Sequence, residues 1–439
     1  MHEQRSRREF LAAAGVGAAA MALPGWIPAQ GAVSANDRIR LGWIGVGPRG
    51  QSLLQAFLTS PEVEVTAICD VWDARRNAAL NMCGGTARGY TDHRVMLEEA
   101  PLDAVVVASP PHWHALHALA VCEAGKDLYL EKPMTLYVDE ALAVRDAVRG
   151  SGVISQVGTQ IHAGENYRRV VELVRTGVLG KVHTVRTLMV MNQGPEGIGR
   201  AEECAPFPGL DWERWCGPAA ARPFNPLIVD GSYNHCSFMD YSGGWTPGMA
   251  PHILDLPYWA LELGHPTRVS AMGGRFVIQD QGDCPDTQEV QFQYPECTLT
   301  WSMSLVNSYG FDFQGAGGIA RRLGIYFQGV NGTLMADYTE HRLIGEGDRL
   351  QDPGGDGERI AASPGHQQEW LDCIRTRSLP SCNVDYHYRI DIACSLANLA
   401  FKLGRSVAFD PQRETIVGDP EAAALLRPVY REPWRFPRA

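Results

Sequence analysis

The chain has no C-x-x-C pair, no internal repeat and, after Leu23, no apolar run long enough to cross a membrane. These absences exclude a cysteine-paired zinc knuckle, a repeat architecture and a membrane span in the mature protein. Eleven cysteines, an odd number, give no clean disulfide framework. Most therefore read as buried thiols, with a bridge permitted in an oxidising compartment. Positive charge is also short: 39 Lys and Arg stand against 50 Asp and Glu, a formal charge of -11. Removing residues 1–35 brings it to about -12, because Arg5, Arg7 and Arg8 outweigh Glu3 and Glu9 by one. An acidic protein is a poor partner for phosphate backbones, so no nucleic acid is expected. No low-complexity segment occurs beyond the first 35 residues, and 439 residues with 45% hydrophobic side chains can fill two or three domains.

What is present begins with a twin-arginine motif, Ser6-Arg7-Arg8-Glu9-Phe10-Leu11, followed by an apolar run from Leu11 to Leu23 and small residues at Val33-Ser34-Ala35. This is the pattern of an export signal cut near residue 35. The run is too short and too rich in Gly and Ala for the roughly 20 residues of a span. No cysteine near the cut offers a lipid anchor. The expectation is a periplasmic or otherwise exported protein, carried folded and with any cofactor already loaded.

Residues 39–44 (IRLGWI) read as a buried strand that runs into Gly45-Val46-Gly47-Pro48-Arg49-Gly50 and then a helical stretch over 52–58. In a G-x-G-x-x-G turn the first glycine permits the bend, the second admits a pyrophosphate and the third lets helix and strand pack. The helix amino terminus then faces the phosphates. A second strand, 63–69, ends at Asp70, about 20 residues beyond the turn, as a ribose-binding carboxylate requires. Asp70 should accept from both ribose hydroxyls and favour NAD; Arg75 and Arg76 close behind leave NADP open. Strands at 103–108, 127–130 and 153–157 alternate with helices at 114–124 and 138–148, predicting a doubly wound parallel sheet over 36–157. Ligands bind such sheets beyond the carboxyl ends of the strands. At those ends stand Ser109-Pro110-Pro111-His112-Trp113-His114 and Glu131-Lys132-Pro133. A lysine that ends a buried strand before a proline projects its ammonium into the crevice, where it can hydrogen-bond a substrate oxygen. His112 and His114 open a helix, where cap or packing roles are common, and only one of them need touch the cofactor.

From 158 the pattern changes. A helix over 167–176 leads into strands at 182–191, 269–278, 287–294, 298–305, 323–328 and 332–336, with few helices between. This predicts a second domain, 158–408, with a mostly antiparallel open-faced sheet covered by helices on one side. Helices over 367–376 and 389–403 close the fold, and 409–439 follow, Pro-rich from Arg427 and read as a tail. The stretch Trp245-Thr246-Pro247-Gly248-Met249-Ala250-Pro251-His252-Ile253-Leu254-Asp255 is the chemical centre of this half. Pro251 suits a first helical turn, which sets His252 and Asp255 on one face. A histidine there can take a proton from an alcohol as hydride leaves the same carbon. The loop from Gly209 to Trp245 interleaves Trp, Tyr, Asp, Asn and His, a composition that suits a sugar and equally suits loop packing. Asp240, Tyr241, Trp245, Asp255 and His162 are the candidate substrate contacts. His235, His252 and Asp255 match no metal-ligand spacing, and no metal is predicted.

The glycine turn, Asp70, SPPHWH, EAGKDLYLEKP and WTPGMAPHILD together resemble the glucose-fructose oxidoreductase, inositol dehydrogenase and rhizopine-catabolism (Gfo/Idh/MocA) family, from about Arg38 to Trp434. The resemblance implies NAD, a Lys132 beside the nicotinamide and the substrate hydroxyl, a Lys132–Pro133 bond that is often cis, and a catalytic His252. The cofactor contacts it implies are Gly45, Gly47, Pro48, Arg49, Gly50, Asp70, Ser109, Pro110, His112, His114, Glu131, Lys132 and Pro133. It also implies a homo-oligomer, dimer or tetramer, joined through an open apolar sheet face. Two positions depart from the pattern. Many relatives carry an aspartate where this chain has Gly248, and arginine where it has His162. The leading expectation is an oxidoreductase on a secondary hydroxyl of a sugar or polyol, with a bound and internally recycled cofactor, because a periplasm holds no free NAD pool. The alternative is an NAD-dependent glycosidase working by oxidation, elimination, hydration and re-reduction. A third is a non-catalytic sugar-binding protein that retains NAD.

Overall fold

The computed structural model describes residues 37–231, 233–308, 323–350 and 359–436. The predicted export signal lies outside the described residues. Six strands, β1 (Ile39–Ile44), β2 (Val63–Cys69), β3 (Arg88–Tyr90), β4 (Ala104–Val107), β5 (Asp127–Leu130) and β6 (Ser155–Val157), form one sheet in the order β3-β2-β1-β4-β5-β6. Every pairing in it is parallel. Its central strands are buried on both faces because helices cover both, which is why β4 reads as an unbroken apolar run and every residue of β4 and β5 is buried. The order reverses between β1 and β4, and the crevice that opens there is where the glycine turn lies.

The second sheet has nine strands: β7 (Val182–Val190), β8 (Arg268–Gly274), β9 (Thr287–Gln293), β10 (Thr298–Ser304), β11 (Leu323–Gly329), β12 (Gly332–Ala336), β13 (His341–Gly345), β14 (Val407–Asp410) and β15 (Thr415–Ile416). Their order is β13-β12-β11-β7-β10-β9-β8-β14-β15, and only β7 with β10 is parallel among these pairs. Period-two burial is clear in β9 and β10: Val290, Phe292, Leu299, Trp301 and Met303 face inward under the helices Trp245–Leu261 and Val384–Leu403.

Three expectations change. The open face was expected to be apolar; it is mixed, carrying Glu289, Gln291, Thr298, Thr300, Ser302 and Arg186 beside Leu188 and Val190 of β7 and the exposed Met272 of β8, which pairs with Glu289. Among its polar members Ser302 bonds Glu289 and Arg186 bonds Gln328. Pro251 is interior, since the helix begins at Trp245 behind Gly244 at φ 86°. The end from Arg427 is not a free tail: Tyr430 Oη donates to Glu140 (2.5 Å), Arg431 Nε to the Gly217 carbonyl (3.1 Å), and Trp434 packs edge-on against Trp113. The helix His366–Thr376 likewise crosses to the first sheet, burying Trp370 against Phe57 and Tyr129. No helix among the described residues is long and apolar enough to cross a membrane.

Candidate active site

The glycine turn leaves β1 with Gly45 at φ 87°, and a Cβ there would stand 2.5 Å from the Ser109 nitrogen. At Gly50 it would stand 2.3 Å from the Gly45 carbonyl oxygen. Neither position admits a side chain without moving backbone, as the tight turn at the first glycine and the close helix–strand packing at the third require. Asp70 ends β2 beside the turn, where its two oxygens accept from the Val46 and Trp72 amides, each at 2.8 Å. Burial nevertheless pushes its carboxyl up. Arg76 is committed to Asp73 (2.7 Å) and the Asp70 carbonyl (3.0 Å), while Arg75 lies over the Trp72 ring and donates to the Val229 carbonyl (2.6 Å). These residues fit a dinucleotide with an unphosphorylated ribose.

They line one cavity of about 640 Å³, inside the usual ligand range of ~300–1,000 Å³. Of the candidate residues, Gly45, Gly47, Pro48, Arg49, Asp70, Ser109, Pro110, His114, Glu131, Lys132, Pro133, Trp245 and His252 face it. The Lys132–Pro133 bond is cis. Lys132 Nζ donates to the Gly248 carbonyl at 2.7 Å. Burial lowers the lysine pKa against the opposing pull of Glu131. Glu131 in turn accepts from Arg49 Nε at 2.8 Å and from the Lys132 amide at 3.1 Å. His114 sits between the Ser109 and Pro133 carbonyls, its ring nitrogens 2.7 and 2.6 Å from their oxygens, and the single N–H of the neutral ring donates to one of them, which sets the lysine turn against the preceding loop.

His252 reaches the cavity from the helix Trp245–Leu261, with Nδ1 buried and unpartnered, so Nε2 is the nitrogen available to a ligand. Burial first and the Lys132 ammonium second hold it neutral, far below the usual imidazole range. A neutral imidazole beside an ammonium is a base paired with a hydrogen-bond donor.

Other candidates are set elsewhere. His112 is packed between the Trp215 and Tyr241 carbonyls, with Nε2 2.8 Å from the first and Nδ1 3.2 Å from the second, and its single N–H joins the two halves as a strut. Tyr241 is buried among Trp212, Trp215 and His112, and Asp240 pairs with Arg222 at 2.7 Å on the surface. Asp255, one step round the helix from His252, turns away to His162 Nε2 (2.8 Å) and Tyr386 Oη, with the His162 ring stacked on Trp259 at 4.0 Å. Cys382 completes a buried trio with that pair, all donor atoms within 4.8 Å of one another. Sequence reasoning missed the cavity wall made by Met189, Met191 and the β12–β13 turn Asp337–Glu340, and the lid made by Trp434. No motif marks those positions.

The buried histidines set an acid limit. Burial holds His93 and His112 at about 4 and His235 and His366 at about 3. The unfolded chain takes up protons near 6.5, so their stabilisation is complete above that pH and is lost as pH falls towards the folded values. At pH 5 the loss is about 2 kcal/mol per histidine. Glu140, pushed up to about 7, works in the opposite direction and offsets about one of the four. The urea midpoint should therefore fall sharply between pH 7.5 and pH 5, and an unchanged midpoint would contradict this account.

Comparison with known proteins agrees with the sheet order. Residues 39–159 match the "Oxidoreductase family, NAD-binding Rossmann fold" of GFO_IDH_MocA, and residues 357–436 match its "Oxidoreductase family, C-terminal alpha/beta domain". A glycosyl hydrolase family 109 protein of Shewanella baltica (strain OS195) is 32% identical over 154 residues, which is 33% of this chain and 34% of that protein. The chain thus spans about a third of the length of such curated relatives. Among solved structures, the WlbA dehydrogenase of Bordetella pertussis, in complex with NADH and UDP-GlcNAcA, superposes with TM-score 0.62 at 18% identity, covering 85% of this chain and 99% of that one. The myo-inositol 2-dehydrogenase of Lactobacillus plantarum does so with TM-score 0.59 at 16% identity, over 85% and 100%. The class of the chain follows from its nucleotide half, an NAD-binding Rossmann fold of the kind found in an oxidoreductase family. Its two sheets, in their order and connection, give it the Gfo/Idh/MocA fold.

Proposed function

We propose that the protein acts on a secondary hydroxyl of a sugar unit within a glycoside, and that the overall reaction is redox-neutral hydrolysis by way of transient oxidation. The observation that carries this reading is the facing of Lys132 and a neutral His252 across the cavity that holds the glycine turn. Likeness of the nucleotide half to glycosyl hydrolase family 109 proteins favours the hydrolytic route over net oxidation. When bound, NAD supplies the redox couple that accepts and returns the substrate's two electrons. His252 Nε2 takes the hydroxyl proton, and the Lys132 ammonium holds the oxygen as it becomes a carbonyl. Ties between the nucleotide half and the 209–229 segment support a retained cofactor: Trp72 bridges Leu210, Asp73 N donates to the Gly209 carbonyl (2.9 Å), and Arg75 reaches Val229 at the cavity wall. Retention suits the export that Ser6–Leu11 proposes, since no free pool would then be needed.

Purified protein is expected to carry NAD without addition. Incubated with para-nitrophenyl α- and β-glycosides, it should release para-nitrophenol with no net reduced nicotinamide. Reduced nicotinamide with a keto sugar and no aglycone would sink the hydrolytic reading and return the enzyme to net oxidation.

A further inference from the structure

Gly248 leaves a gap beside Lys132, and the structure shows what fills it. A Cβ at Gly248 would lie 3.7 Å from Cys236 Sγ, and that sulfur lies 3.8 Å from His235 Nε2. A continuous wall therefore runs from the Lys132 ammonium, through the Gly248 carbonyl and the Cys236 thiol, to a second imidazole. His235 lines the same cavity as Lys132, Gly248 and His252, but from the short 3-10 turn Asn234–Ser237 and not from the helix Trp245–Leu261 that carries Gly248 and His252. That turn is anchored on both flanks: Cys284 Sγ bonds the Cys236 carbonyl at 3.2 Å, and Asp283 N bonds the Ser237 carbonyl at 2.9 Å.

We propose that His235 is a second catalytic residue, the acid and base of the elimination and hydration steps, while His252 serves the redox step; this role rests on the hydrolytic reading above. That reading needs two proton-handling groups, because the hydroxyl hydrogen and the hydrogen on the neighbouring carbon lie on different atoms. Acting on the ketone produced by the redox step, His235 takes the proton from the carbon between the carbonyl and the anomeric carbon. The electron pair left behind forms the carbon–carbon double bond as the glycosidic C–O bond breaks. The imidazolium gives that proton to the departing aglycone oxygen. Water then adds: His235 takes one of its protons, the hydroxide joins the anomeric carbon, and the imidazolium returns the proton to the neighbouring carbon. One water is consumed, the two carbons keep their oxidation level, and His235 ends neutral. Burial first, then His112, Lys132, Arg75 and His114, keep His235 unprotonated at the start of the cycle, with the Cys236 thiol the titratable group in contact with its ring.

The test compares wild type, His235→Asn and His235→Gln, each checked for retained NAD, with the para-nitrophenyl glycoside that wild type turns over, in deuterium oxide. Wild type should incorporate deuterium beside the oxidised carbon. Both variants should still reduce their bound NAD on mixing with the glycoside, yet lose aglycone release and deuterium incorporation at least a hundredfold. His252→Asn should lose cofactor reduction itself. Variants that release aglycone within threefold of wild type would overturn the role of His235. A wild type that accumulates keto sugar and releases no aglycone would overturn the hydrolytic reading, and this role with it; the two failures are read in different proteins.

Discussion

Lys132→Met is expected to lower turnover about a thousandfold, the range in which positioned proton-handling groups act. The chain has four lysines, and Lys126, Lys181 and Lys402 are far from the chemistry, so no neighbouring amine can substitute. Methionine keeps the length and apolar stem of the side chain but removes the ammonium that bonds the Gly248 carbonyl. Two effects on stability oppose each other. The carbonyl loses its donor, at about 1–3 kcal/mol, while a charge whose burial already lowers its pKa is no longer held in the cavity wall. Folding and NAD content should therefore change little while catalysis falls, a separation that a purely structural lysine would not produce. The measurement is the turnover number beside the NAD content of purified protein; turnover within tenfold of wild type would remove Lys132 from the mechanism. Combining Lys132→Met with His252→Asn should cost little more than either alone, because both groups act on the same proton transfer.

The nucleotide half was legible because its physics is local. β1, β2 and β5 have the bounds that apolar runs and turn residues predict, and the glycine turn is followed by its helix, which starts at Pro48 rather than Ser52. β3 escaped notice because three residues, Arg88–Tyr90, with two exposed, carry no periodic signal. In the second half, alternation found β9 and β10 to within a residue, but the short strands β13, β14 and β15 at the two ends of the sheet owe their pairing to neighbours that no local pattern names. At the site, Lys132 and His252 were legible as chemistry at the ends of elements. Asp255, Asp240 and Tyr241 were not, since composition cannot say which way a side chain turns: the i, i+3 spacing holds, yet His252 faces the cavity and Asp255 faces His162. The end from Arg427 looked like a tail because its prolines preclude regular structure, whereas its anchors are side-chain contacts from Tyr430, Arg431 and Trp434 to residues more than two hundred positions away.

Glu131→Gln should destabilise the cofactor-free protein by about 3 kcal/mol, through a charge left without its partner. The Glu131 side chain is 4% exposed and that of Arg49 29%, with Arg49 Nη2 2.7 Å from Glu131 Oε1. Glutamine preserves the volume and can still accept from the Lys132 amide, so packing is unchanged and the electrostatic cost is isolated. The cavity lets Arg49 keep some contact with water, which places the cost at the lower end of the range for a broken buried pair. Arg49 belongs to the glycine turn, so a guanidinium released from Glu131 becomes a partner for a bound pyrophosphate. Saturating NAD should therefore raise the urea midpoint of the variant more than that of wild type, narrowing the gap between them. Equal increments in both proteins would mean that Arg49 stays turned away from the phosphates, and a cofactor-free midpoint matching wild type would mean that the pair contributes nothing to folding. The same ion pair thus ties the loop that cradles the cofactor to the strand end that presents Lys132, and the two responses measure how much of that tie serves stability and how much serves binding.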